Sequence, residues 1–128
     1  MPEPSTIDRG AAAEALAADY LTRRGLTLLA RNLRCKSGEL DLVCLDGAVL
    51  VIVEVRQRGR TDYGGAAASV TWRKQRKLIR ATLYEWQRRP AWRGRILRFD
   101  VVAIERGPGG APVLDWIKDA FRAENPAT

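Results

Sequence analysis

GELDLVCLDGAVLVIVEVRQR, residues 38–58, decides how this chain is read. Two apolar runs rich in Val, Ile and Leu flank Asp46-Gly47, a dipeptide that signals a two-residue hairpin turn. With that turn at the tip, Leu45 pairs with Ala48. One face of the ribbon then collects Leu40, Leu42 and Cys44 against Val49, Val51, Val53 and Val55. All are apolar, and a one-residue slip would mix the faces. The other face holds Glu39, Asp41, Val43 and Leu45 against Leu50, Ile52, Glu54 and Arg56, apolar by the turn and ionic at the open end. In this register Glu39 falls opposite Glu54, with Asp41 diagonal to both. Like charges so placed destabilise a hairpin, so a positive partner is needed. Two compensations fit. One is ordinary ion pairing to Lys36, Arg56 or Arg58, worth about 0–1 kcal/mol at a surface. The other is a divalent cation: hard carboxylate oxygens suit Mg²⁺ or Mn²⁺.

Working outward, Asp8 is placed to N-cap a helix running to about residue 24, with Gly25 as its C′ residue. LTLLARNLR, 26–34, reads as a first strand, and the ribbon supplies strands over 39–45 and 48–57. GRTDYGGAAAS, 59–69, is a connector. VTWRKQRKLIRATLYEWQRR, 70–89, has helical periodicity, with Trp72, Leu78, Ile79, Leu83 and Trp86 as the expected buried stripe. RILRFDVVAIE, 95–105, is a fourth strand, and VLDWIKDAF a further short strand or helix. The order is α-β-β-β-α-β. We expect one domain over residues 8–122, with flexible termini at 1–7 and 123–128.

The chain has 128 residues, a net charge of +7 and no histidine. Lacking His, it has neither a Ser-His-Asp triad nor a His-ligated zinc. Its two cysteines, Cys35 and Cys44, make no disulfide framework. AVLVIV is too short to span a bilayer, so a soluble, cytoplasmic protein without membrane partners is expected. The charge is concentrated: residues 70–98 hold ten Lys and Arg against Glu85 alone. Such a block suits salt-sensitive contact with phosphate backbones, through Arg73, Lys74, Arg76, Lys77 and Arg80 of the helix. Trp72 and Trp86 are expected in the core, Trp92 in a loop as a base-stacking candidate, and Asp100 paired with Arg98 or supporting the fold.

An acidic residue on one strand and Glu-x-Lys ending the next is the pattern of the PD-(D/E)xK nuclease superfamily, which Asp41 and Glu54-Val55-Arg56 resemble. More narrowly, the chain resembles the bacterial YraN family, proteins of predicted endonuclease fold similar to archaeal Holliday-junction resolvases. The matching residues are Gly10 and Glu14, RNLR at 31–34, GELDLV at 38–43, VEVRQR at 53–58, Tyr63-Gly64, RKQRKL at 73–78 and RFDVV at 98–102, in collinear order. The resemblance implies an α/β fold with a restriction-endonuclease-like αβββαβ core, its mixed central sheet flanked by helices. It implies that Asp41, Glu54 and the Val55 carbonyl hold Mg²⁺ or Mn²⁺, with Glu14 reaching the ion directly or through water and Glu39 assisting. Glu14 also fits the role of an ordinary, partly exposed helix glutamate. The superfamily's lysine position is Arg56 here. A guanidinium stays protonated, so it orients water or stabilises phosphate charge but takes no proton. Lys36 and Lys74 are the candidate substitutes.

The implied activity is metal-dependent hydrolysis of DNA phosphodiesters, on branched or single-stranded DNA. A homodimer is expected by the same resemblance. The alternative is a catalytically inactive nucleic-acid-binding module of the same fold. A basic adaptor for a protein or an anionic membrane surface ranks last.

Overall fold

The computed structural model describes residues 6–36, 38–57 and 70–123. Helix α1 spans Thr6–Arg23 and is followed by three strands: β1 over Thr27–Cys35, β2 over Gly38–Asp46 and β3 over Val49–Gln57. Helix α2 spans Trp72–Arg88, β4 Leu97–Arg106 and β5 Pro112–Phe121. The strands form one sheet in chain order. β1, β2 and β3 are antiparallel neighbours, β4 runs parallel to β3, and β5 returns antiparallel to β4. This mixed α/β architecture is consistent with a restriction-endonuclease-like αβββαβ core, extended by β5, which resolves the ambiguous VLDWIKDAF segment as a strand.

The helices cover opposite faces of the sheet. Small residues on α1, Ala13, Ala17 and Ala18, let it approach closely and pack with Leu21 against Leu42, Cys44, Val51 and Val53. Leu78 and Ala81 of α2 pack on Val43, Leu50, Ile52 and Val101 from the other side. α1 starts at Thr6, so Asp8 lies inside the helix and is not its cap. Its C-terminus stops as expected: Gly25 takes φ +98°, Gly25 N–H donates to the Thr22 carbonyl, and Leu26 N–H reaches back to Leu21. This is a Schellman cap, closed by burial of Leu26.

The β2–β3 register differs from the expectation by two residues. Asp46 pairs with Val49, Cys44 with Val51 and Leu42 with Val53, so the loop is Gly47-Ala48. Gly47 has φ +61° and Ala48 no positive φ, the pattern of a type II′ turn with glycine first. Asp46 remains in the strand because its Oδ2 accepts from Arg98 Nη2 at 3.0 Å. A two-residue shift keeps each side chain on its face, so the apolar pattern alone did not separate the two registers. Leu40 is the exception, packing on the α2 side rather than the α1 side.

Helix α2 is rolled from its expected orientation. Its buried face is Leu78, Ala81, Thr82 and Glu85, while Trp72 and Leu83 are nearly half exposed. The two polar residues facing inward are satisfied. Thr82 Oγ1 donates to the Leu78 carbonyl at 2.7 Å, and Glu85 accepts from Arg89 Nε at 2.8 Å. Ile79 and Trp86 remain at the margin of the core. Trp92, expected as a stacking platform, is buried instead, because the turn after Pro90 folds it onto the sheet. Ala123, expected in a flexible tail, packs against the same cluster. No described helix is long and apolar enough to cross a membrane.

Candidate functional site

The sheet forks at one point. β1 stays paired with β2 as far as Cys35↔Gly38, and β3 stays paired with β4 as far as Gln57↔Ile104. The β2–β3 ladder, however, ends at Leu42↔Val53. In the gap, Asp41 Oδ2 accepts the Val55 backbone N–H at 3.0 Å. A side-chain carboxylate thus occupies a place that a strand carbonyl fills elsewhere, and it satisfies a donor that the fork would leave orphaned.

The other carboxylates converge on Asp41. Glu14 projects from α1 and Glu39 from the start of β2, and one oxygen of each lies within 4.8 Å of one from Asp41. Glu39 is therefore a neighbour of Glu14 and Asp41 and not the cross-strand partner of Glu54. Glu14 is 9% exposed, so the helix-surface reading of that residue does not hold. Its pKa is raised, first by burial and then by the Asp41 charge. With Gly10, Ala13, Val55, Arg56 and Gln57, Glu14 and Asp41 line a cavity of about 320 Å³. Asn32, in the left-handed region at φ +52°, lies beside Glu14 and lowers its pKa by hydrogen bonding.

Glu54 is buried between the two helices' sides of the fork at 4% exposure. Its Oε1 has no hydrogen-bond partner, and among the described residues it is the one buried side-chain oxygen or nitrogen in that state. Its Oε2 lies 3.7 Å from Lys74 Nζ and 3.8 Å from Arg56 Nη1. Both distances exceed a hydrogen bond, so the cations offset the charge without satisfying the oxygens. Burial, and then the Asp41 carboxylate, push the Glu54 pKa up to about 8, against the pull of Lys74 and Arg56. Glu54 is not one of the three carboxylates that converge within 4.8 Å, but it adjoins Asp41, which is. A buried acid with an idle oxygen next to that cluster is a set that a hard cation fits.

A second cavity, about 270 Å³, lies on the α2 side and is lined by Arg56, Thr71, Arg73, Lys74 and Lys77. Thr71 caps α2 by accepting the Lys74 N–H at 3.2 Å. Sequence reasoning missed Thr71 and Asn32, although a threonine before an amphipathic run is an N-cap signal. Of the five basic residues assigned to nucleic acid, Arg73, Lys74 and Lys77 line this cavity. Arg76 and Arg80 lie exposed elsewhere on the helix. Lys36, a candidate partner for the carboxylates, instead stands 6.0 Å over the Tyr84 ring. Arg58, Tyr63, Gly64 and the 59–69 connector lie outside the described residues.

Asp100 supports the fold. It is fully buried, takes two bonds from Arg98 at 2.9 Å, and accepts from Trp116 Nε1 and the Asp119 N–H.

Comparison with known proteins places these features in a wide group. A family model described as "Uncharacterised protein family UPF0102" matches residues 13–104. The chain is 50% identical over 121 residues to a UPF0102 protein of Pseudomonas savastanoi pv. phaseolicola, covering 94% of this chain and 98% of the relative. It is 53% identical over 114 residues to a UPF0102 protein of Stutzerimonas stutzeri, covering 89% and 94%. A UPF0102 protein of Pseudomonas putida strain GB-1 is 47% identical over 121 residues, with 94% and 98% covered.

Proposed function

The chain belongs to the uncharacterised protein family UPF0102, the YraN family that its motif series resembles, and we propose that it is a divalent-cation-dependent nuclease acting on DNA. The observation that carries this reading is the buried, unpartnered Glu54 Oε1 beside Asp41, at the place where the strands part. Asp41, Glu54, Glu14 and the Val55 carbonyl would hold Mg²⁺ or Mn²⁺, with Glu39 at the rim. The ion, when bound, supplies Lewis-acid activation of water and neutralises phosphate charge. Glu14 and Glu54 are buried, and the hydrogen bond from Val55 N–H fixes Asp41 between them at the fork.

The cationic groups divide two tasks. Arg56 lines both cavities, so its guanidinium is placed to hold a phosphate oxygen and to stabilise the charge that develops on it. It stays protonated and takes no proton from water. Lys74, near Glu54 on the α2 side, is the amine in position for the role that lysine plays in this superfamily. That placement favours the active enzyme over the inert binding module.

The test is cleavage of labelled linear, single-stranded and four-way-junction DNA at low salt, in Mg²⁺, Mn²⁺ or EDTA. Metal-dependent cleavage abolished by Asp41→Ala and Glu54→Ala is the expected result. Binding without cleavage in either metal leaves the inert module as the correct reading.

A further inference from the structure

We infer that the cavity on the α2 side is a phosphate site in its own right, and that it takes a phosphate of the DNA backbone other than the one being cut. The inference rests on the nuclease reading only for the second half. Of the five described residues lining the cavity four are cationic, and the fifth is the Thr71 cap. The first turn of α2 contains no acidic residue. Behind Lys74 and Arg56 stands Glu54, whose Oε2 lies 3.7 Å from the lysine and 3.8 Å from the arginine, beyond hydrogen-bond reach. Packing Arg73, Lys74 and Lys77 at neighbouring positions of one helix costs repulsion that no acidic residue of its first turn offsets. An anionic ligand does, and the helix N-terminus beneath it adds its partial positive charge.

The two cavities differ in chemistry. The α1-side cavity is lined by Glu14 and Asp41, which repel a phosphate unless a cation intervenes. The α2-side cavity has no carboxylate among the described residues of its lining, and these accept a phosphate directly. Arg56 is the wall between them. A strand laid across the end of β3 therefore places one phosphate over the carboxylates and a flanking one against Thr71, Arg73 and Lys77. The flanking contact fixes register and leaves the bases unread, so the site selects backbone geometry and not sequence.

The test is titration of the ¹⁵N-labelled full chain with inorganic phosphate in EDTA, following backbone amides. Saturating shifts centred on residues 71–77 are expected, unchanged in Asp41→Asn. The Arg73→Gln/Lys77→Gln double variant should weaken them by roughly tenfold at an unaltered melting temperature, since both side chains are exposed. Shifts spread over the whole basic surface without saturation, or shifts indifferent to the double variant, overturn the site. A second arm uses DNA carrying one neutral methylphosphonate next to the cleaved linkage, which should slow cutting by the wild type and have little further effect on the double variant. If the phosphate shifts appear but no DNA is cut under any condition, the nuclease reading falls and the phosphate site stands. If DNA is cut but no local shifts appear, the reverse holds.

Discussion

Asp41 Oδ2 accepts the Val55 backbone N–H at 3.0 Å, and so joins two strands at the point where their own ladder has ended. One carboxylate thereby holds the fork open and contributes to the cluster within it. These roles separate by substitution. Asp41→Asn keeps an acceptor of the same shape and removes one of several crowded charges. Asp41→Ala leaves the Val55 N–H without its partner. We expect the alanine variant to lose about 1–3 kcal/mol in urea unfolding and the asparagine variant to lose less than half as much. Both should abolish Mn²⁺ binding by calorimetry. Equal stability of the two variants would show that the Val55 bond contributes nothing.

Glu54 gives the metal-free protein an unusual pH dependence. An unfolded glutamate loses its proton near 4.5, whereas folded Glu54 keeps it until about 8. Between those values the folded state binds the extra proton, so stability falls as pH rises through the window. Divalent cation reverses the trend, because it binds the ionised form and displaces the proton. In EDTA the melting temperature should drop from pH 5 to pH 8, and the drop should shrink in Glu54→Gln. The rise in melting temperature on adding Mn²⁺ should be larger at pH 8 than at pH 5. A wild-type profile in EDTA that is flat across this window would show that Lys74 and Arg56 cancel the effect of burying Glu54.

Much of this was legible in the sequence, and the rest was not for identifiable reasons. Period-two alternation over 42–53 defines both faces of the ribbon, and the Glu-x-Arg ending of β3 marks the end of the strand at which the fork lies. The alternation also fits a register two residues away, and a tertiary contact, Asp46 with Arg98, selects the observed one. The fork is invisible to periodicity, because β2 and β3 each continue as strands with other partners past the point of separation. The roll of α2 was misjudged because hydrophobic spacing favours Trp72 and Leu83, whereas the helix buries Thr82 and Glu85 with their own local partners.

Lys74 stands 3.7 Å from Glu54 on the side where Arg56 cannot act as a base. Lys74→Gln should therefore reduce cleavage by about a hundredfold or more, the usual size of a proton-transfer contribution. Its DNA affinity in EDTA should fall only by the few-fold expected of one lost phosphate contact. Arg56→Lys should retain activity. Comparable losses of binding and cutting in Lys74→Gln would reduce Lys74 to a backbone contact.

Buried Asp100 ties the partly exposed Arg98, Trp116 and the Asp119 backbone into one group that joins β4 to β5 and, through Arg98, to the hairpin. Asp100→Ala leaves Arg98 and two N–H groups without this acceptor. A loss of about 3–5 kcal/mol in unfolding free energy is expected, with no role in binding phosphate. Wild-type stability in this variant would mean that water replaces the carboxylate at no cost.

The two tryptophans whose places were exchanged make opposite predictions. Trp92 is buried at 5% exposure, so Trp92→Ala should cost about 3–5 kcal/mol of stability. Trp72 is 45% exposed at the first position of α2, and its neighbours Thr71 and Arg73 line the basic cavity. An indole there is placed to stack on a base whose phosphate the cavity holds, and stacking needs the base unpaired from a continuous duplex. Trp72→Ala should lower affinity for single-stranded DNA in EDTA by about tenfold, leave blunt duplex binding unchanged, and shift the melting temperature little. Trp72→Phe should restore most of the loss. Equal loss for single strands and duplex would assign Trp72 to packing and remove it as a stacking platform.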